Sequence, residues 1–199
     1  MRLFVALDID DGIRHKIARF VDGVREFAPD VRWVRPESLH LTLKFIGEKS
    51  PEETQQVRDA LAKIEAPSFS IGFQAFGFFP TSRAARVFWI AIQSARELAA
   101  LAENVDEALY TIGHPRDEHA YSPHLTLARA GRGSGAPQRQ KTDAPNRRFE
   151  RLQSRLATLA PLDFGTMAAR EFFLYQSKLS PGGSEYNKLA VFPLKPAGN

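Results

Sequence analysis

His40-Leu41-Thr42-Leu43 and His124-Leu125-Thr126-Leu127 are one tetrapeptide written twice, 84 residues apart. A neutral imidazole can take a proton from an attacking oxygen, a protonated one can give a proton to a leaving oxygen, and a hydroxyl can hydrogen-bond a non-bridging phosphate oxygen. Two copies of each group suit phosphodiester chemistry. A single His-x-Thr is a weak pattern, usually a polar surface pair. Packing accounts for the leucines but not for His and Thr recurring in the same register, and the recurrence singles out these four residues. A metal centre is disfavoured, because each copy brings one histidine and no carboxylate or thiolate at ligand spacing. No metal and no cofactor are expected. The other histidines, His15 on a helix and His114 and His119 in a polar connection, are expected at the surface.

Each tetrapeptide lies in an apolar run of strand character. Alternation in a strand puts His40 and Thr42 on one face and Leu39, Leu41 and Leu43 on the other, and it groups His124 with Thr126 above Leu125 and Leu127. By the same parity Lys44 shares the face of His40 and Thr42. It is a candidate for adding positive potential or touching a neighbouring phosphate, against the plain alternative of a solvated lysine at a strand end.

The remaining elements must present these two faces to each other. Strands are expected over Arg2–Ile9, Val31–Arg35, Leu39–Ile46, Phe69–Phe79 and Val87–Ile92, then at the second His motif, and finally over Glu171–Leu179 and Tyr186–Leu194 around a Pro181-Gly182-Gly183 turn. Helices are expected after Asp10 or Asp11, with Ile13, Ile17, Val21, Val24 and Phe27 on one face, and from the capping box Ser50-Pro51-Glu52-Glu53 to about Ile64. Two more are expected over Glu97–Ile112 and about Phe149–Leu159. Strands outnumber helices and hairpins occur, so the fold class is α+β. Two pseudo-symmetric lobes are expected, each an antiparallel sheet flanked by helices, with the site in the cleft between them. The glycines at 72–77 and 131–135 lack the strand-turn-helix setting of a phosphate loop.

At 199 residues, 43% hydrophobic, the chain can bury one substantial core, and a single domain over 1–199 is expected. The opening apolar run is too short for a secretory core and none is long enough to span a bilayer, so a cytoplasmic protein with no membrane partner is expected. The net charge of +4 is uneven: residues 129–155 carry +6 and the remainder −2. Part of that basic segment, about 131–148, reads as a mobile loop that could meet a polyanion, with a merely solubilising loop as the even alternative.

On the paired motifs the sequence resembles the 2H phosphoesterase superfamily, in particular its RNA 2′,3′-cyclic phosphodiesterase branch, also called 2′-5′ RNA ligase. RLFVALDID, VRWVRPESLHLTLKFIGE, FFPTSRAARVFWIAI, YSPHLTLAR and LYQSKLSPGGSEYNKLAVFPL are each similar to the family pattern, in the same order. The resemblance implies that RNA ending in a 2′,3′-cyclic phosphate is opened to a 2′-phosphate without cofactor or obligate protein partner, with weak 2′-5′ ligation as the reverse reaction. It implies His40 as proton donor, His124 as proton acceptor, and Thr42, Thr126 and Arg129 as phosphate-binding residues. Arg129 falls on the leucine side of its strand by strict alternation, so it reaches the cleft only if the strand ends or bulges near Ala128. An RNA-binding module that keeps the cleft without turnover is the competing reading, against which the need for two imidazoles argues.

Overall fold

The computed structural model describes residues 1–93, 95–118, 120–131, 147–180 and 183–196. Nine strands and four helices run in the order β1 (Arg2–Asp8), α1 (Asp11–Val24), β2 (Arg32–Trp33), β3 (His40–Glu48), α2 (Pro51–Leu61), β4 (Phe69–Phe79), β5 (Val87–Gln93), α3 (Ala95–Tyr110), β6 (His124–Arg129), α4 (Glu150–Leu156), β7 (Asp163–Ala169), β8 (Glu171–Ser180) and β9 (Gly183–Pro193) among the described residues. They form two antiparallel sheets, one ordered β3-β1-β8-β9 and the other β2-β6-β5-β4-β7. The fold is α+β, and each sheet carries one of the two His-x-Thr strands.

The sheets are not the two contiguous halves of the chain. The first motif's sheet takes β8 and β9 from the C-terminal region, and the second motif's sheet takes β2 from the first half. Each end of the chain is thereby sewn into the same sheet. One continuous core joins Leu3, Val5 and Leu7 of β1 to Ile71 and Phe73 of β4, Phe88 and Ile90 of β5, Leu125 and Leu127 of β6, and the buried faces of the helices. The opposite face of β1 packs a smaller cluster, Phe4 and Ala6 with Phe173, Tyr175 and Tyr186.

Local chemistry sets the helix starts. Asp10 caps α1 by accepting from the backbone N–H of Gly12 at 2.8 Å and of Ile13 at 3.4 Å, so that Ile13, Ile17 and Val24 turn into the core. Ser50 and Glu53 form the reciprocal capping box of α2, with Pro51 in the first turn. Four expectations change. His114, expected at the surface, is buried after the end of α3, while His119 and the Pro181 and Gly182 of the expected turn lie outside the described residues. The strand around Val31–Arg35 shrinks to Arg32–Trp33 because Pro36 opens a 3-10 turn over Pro36–Ser38. The last helix ends at Leu156. The strand β7 was not expected, since DFGTMAA buries only Phe164 and Ala169 and pairs as an edge along β4. The basic segment at 131–148 falls mostly outside the described residues; Arg147 and Arg148 begin a short 3-10 turn before α4.

Candidate active site

The two motif strands are built alike. His40 and His124 are each the first residue of their strand, and each is preceded at the second position back by serine, Ser38 and Ser122. His40 Nδ1 lies 2.7 Å from the Ser38 carbonyl oxygen, and His124 Nδ1 lies 2.7 Å from that of Ser122. A carbonyl oxygen can only accept, so both rings carry their proton on Nδ1 and leave Nε2 to meet a substrate. The shared Ser-x-His was written in the sequence ahead of both tetrapeptides and is the signal that would have foretold this orientation.

Both strands also bulge at the same place. Along β1 and β3, Ala6 faces Thr42 and Val5 faces Lys44, so Leu43 has no partner. Along β5 and β6, Trp89 faces Thr126 and Phe88 faces Ala128, so Leu127 has none. An extra residue reverses the alternation beyond it. In β6 the reversal brings Arg129 back to the side of Thr126, where its Nη2 donates to Thr126 Oγ1 at 3.4 Å. In β3 it brings Phe45 to the side of Thr42 and turns Lys44 inward.

The parity expectation for Lys44 is therefore corrected. Lys44 is only 4% exposed, and its ammonium pairs with Asp106 of α3, with Asp117 at 3.1 Å and with the Pro115 carbonyl at 3.1 Å. It faces α3 rather than the side of His40 and Thr42. Nothing in the sequence marks Leu43, an ordinary strand leucine, as an extra residue, whereas a bulge near Ala128 was the condition for Arg129 to reach the cleft.

Aromatic rings wall both imidazoles. His40 has Phe4 at 4.8 Å, Tyr186 edge-on at 5.0 Å and Tyr175 at 6.3 Å between centroids. His124 has Phe79 edge-on at 5.1 Å and Trp89 at 6.3 Å, those two being stacked on each other at 4.8 Å. Trp89 lies flat over Gly77, its cross-strand partner, where a Cβ would come within 2.2 Å of the indole. Gly77 thus serves the wall of His124 and not a phosphate loop. These rings were not singled out from the sequence, where they read as ordinary strand aromatics.

The walls shift the titration of both histidines. Burial, opposed by the Ser38 hydrogen bond and reinforced by the positive charge of Arg129, pushes His40 down to about 4. Burial and the same guanidinium also lower His124. One arginine acts on both rings, and Tyr186 is felt by Arg129 as well as packing on His40, so the two sheets bring the motif side chains together. Opposite His40 on β1 stands Asp8. Burial works against its charge, but hydrogen bonds from Lys188, the Ile9 backbone and Arg14 hold its carboxyl below the usual range. Asp8 is a neighbour of the site that the sequence did not reveal. Among the described residues no group of three or more His, Asp or Glu is gathered as a metal site, and no helix is long and apolar enough to cross a membrane.

Two antiparallel sheets that converge on paired His-x-Thr strands define the 2H phosphoesterase class. The sequence profile described as LigT like Phosphoesterase matches residues 7–89 and again 90–186, one motif in each match, and the chain belongs to this family. It is similar to the RNA 2′,3′-cyclic phosphodiesterase of Archaeoglobus fulgidus, 34% identical over 96% of this chain and 99% of that protein. Its fold is similar to the crystal structure of a Thermus thermophilus protein (TM-score 0.76, 28% identity, all of both chains). It is likewise similar to Escherichia coli LigT complexed with 3′-AMP (TM-score 0.74, 27% identity, 97% of each chain).

Proposed function

We propose that this protein hydrolyses the 2′,3′-cyclic phosphate at the end of an RNA to a 2′-phosphomonoester, using only its own side chains. The observation that carries the reading is the matched pair of imidazoles. Each is tied through Nδ1 to a serine carbonyl, which leaves Nε2 as the ring nitrogen to meet a substrate, and both feel the charge of Arg129. The name of the Archaeoglobus fulgidus relative supports the substrate class.

In the reaction, water attacks phosphorus and His124 Nε2 takes the proton that the water loses. The bond from phosphorus to the ribose 3′ oxygen breaks, and His40 delivers its Nε2 proton to that oxygen. Thr42, Thr126 and Arg129 hold the non-bridging oxygens, a role that the contact from Arg129 Nη2 to Thr126 Oγ1 supports by placing both groups on one side of β6. The depressed value of His40 leaves it neutral in the free protein near neutral pH. It takes its proton from solvent as the substrate binds, because the phosphodiester anion beside it opposes the burial and the guanidinium charge that hold the imidazole neutral. With a 5′-hydroxyl in place of water as the attacking oxygen, the same ring opening joins two ends through a 2′-5′ linkage while the 3′ oxygen leaves with its proton from His40, a weak side activity.

The test is to digest an RNA ending in a cyclic phosphate with chelator present and to compare the product with authentic 2′- and 3′-phosphate standards. A 2′-phosphate is expected. A 3′-phosphate would overturn the assigned leaving oxygen, activity lost on chelation would overturn the metal-free mechanism, and bound but unaltered RNA would leave a binding module.

A further inference from the structure

The two histidines lie in different sheets, and β3 and β6 share no backbone ladder. The common core packs the leucines of both motifs together, and a polar contact adds to it at the motifs themselves. β3 is an edge strand, and the Thr42 carbonyl accepts a hydrogen bond from the hydroxyl of Tyr121 at 3.0 Å. Tyr121 belongs to the connection between α3 and β6. It immediately precedes Ser122, whose carbonyl holds His124 Nδ1. A single hydroxyl thus links the backbone of the first motif to the residue that orients the second histidine.

The bulge in β3 adds an anchor to the same connection. Lys44, turned inward, pairs with Asp106 on α3 and reaches Asp117 and the Pro115 carbonyl, and the Asp117 backbone N–H donates to Asp106 Oδ1 at 3.2 Å. Residues 115 and 117 are thereby held against β3 a few positions before Tyr121. Burial pushes the Tyr121 phenol well above its ordinary value, so it remains a neutral donor at every working pH.

We infer that Tyr121, anchored through Lys44, is a positioning residue that sets the tautomer and place of His124 relative to the first motif. The inference rests on the two-histidine reading above. A misplacement of about 1 Å between reacting groups can cost about a hundredfold in rate. The brace therefore acts on turnover and not on the grip of either sheet on phosphate.

Tyr121→Phe removes the hydroxyl and keeps the ring, which spares the fold where Lys44→Met would leave Asp106 with only the longer 3.7 Å contact to Arg116. Turnover of a cyclic-phosphate substrate is expected to fall about tenfold to a hundredfold with KM within about threefold. In a His124→Ala background the same substitution is expected to change the residual rate by less than about twofold, since it acts through that ring. Wild-type turnover in Tyr121→Phe, or a loss that multiplies fully in the His124→Ala background, would overturn the inference. Nitrogen-15 NMR of the imidazoles reads the brace without substrate and so separates its failure from that of the proposed reaction. His124 is expected to shift from the Nδ1–H form toward the Nε2–H form in Tyr121→Phe while His40 keeps its own; an unchanged His124 would overturn it.

Discussion

Arg129 and Thr126 lie on one side of β6, Nη2 to Oγ1 at 3.4 Å, although strict alternation would put them on opposite sides. The bulge at Leu127 brings them together, and the positive charge so placed depresses both histidines. Arg129→Ala should therefore raise the titration points of His40 and His124 in the free protein, read by proton NMR, and lower kcat/KM on a cyclic phosphate by about a hundredfold. Unchanged histidine titration would mean that the guanidinium does not reach them.

The depressed value of His40 carries a stability consequence of definite sign. Between about 6.5, the unfolded value, and about 4, the folded value, the unfolded chain binds the proton more readily. The contribution is complete above about 6.5 and is lost as pH falls through this window. His40→Asn removes the group, so its unfolding free energy should fall by about 2 kcal/mol less than that of the wild type between about pH 7.5 and about pH 5. Urea titrations at the two pH values measure it. Parallel losses in both proteins would show that His40 is not buried in its neutral form.

Lys44 is predicted to matter for folding and not for contact with RNA. Lys44→Ala leaves Asp106, whose side chain is 18% exposed, without its principal partner, and should cost about 3 kcal/mol in thermal or urea unfolding. The salt dependence of RNA affinity should keep its slope in whatever fraction stays folded. A flatter slope with full stability would restore the surface role that strand parity suggested.

Gly77 is predicted to admit no side chain while Trp89 holds its place. A Cβ there would fall 2.2 Å from the indole, so Gly77→Ala must push Trp89 off the β4 backbone and with it the wall beside His124. In a Trp33→Phe background, which leaves Trp89 as the remaining tryptophan of the two, the emission should shift and turnover should fall by roughly tenfold. An unaltered emission spectrum would contradict the packing.

Strand periodicity and the capping signals at Asp10 and Ser50 act within a few residues, so the elements carrying His40 and His124 were legible in the sequence and so was the sharing of a face by His and Thr. The two bulges were not, because they depend on which residue of a neighbouring strand is paired; Lys44 was misplaced by that one-residue slip, and Arg129 needed it. β7 escaped because an edge strand needs little apolar content. The exchange of β2, β8 and β9 between the sheets could not be read from a local pattern, since it is decided by long-range pairing.

The central claim is that the two imidazoles work as one unit, and the most direct measurement is a double-mutant comparison of hydrolysis rates on an RNA ending in a 2′,3′-cyclic phosphate. His40→Ala and His124→Ala should each lose on the order of a hundredfold or more, and the double variant should lose far less than the product of the two. Wild-type turnover in either single variant, or fully multiplicative losses in the double, would contradict the account.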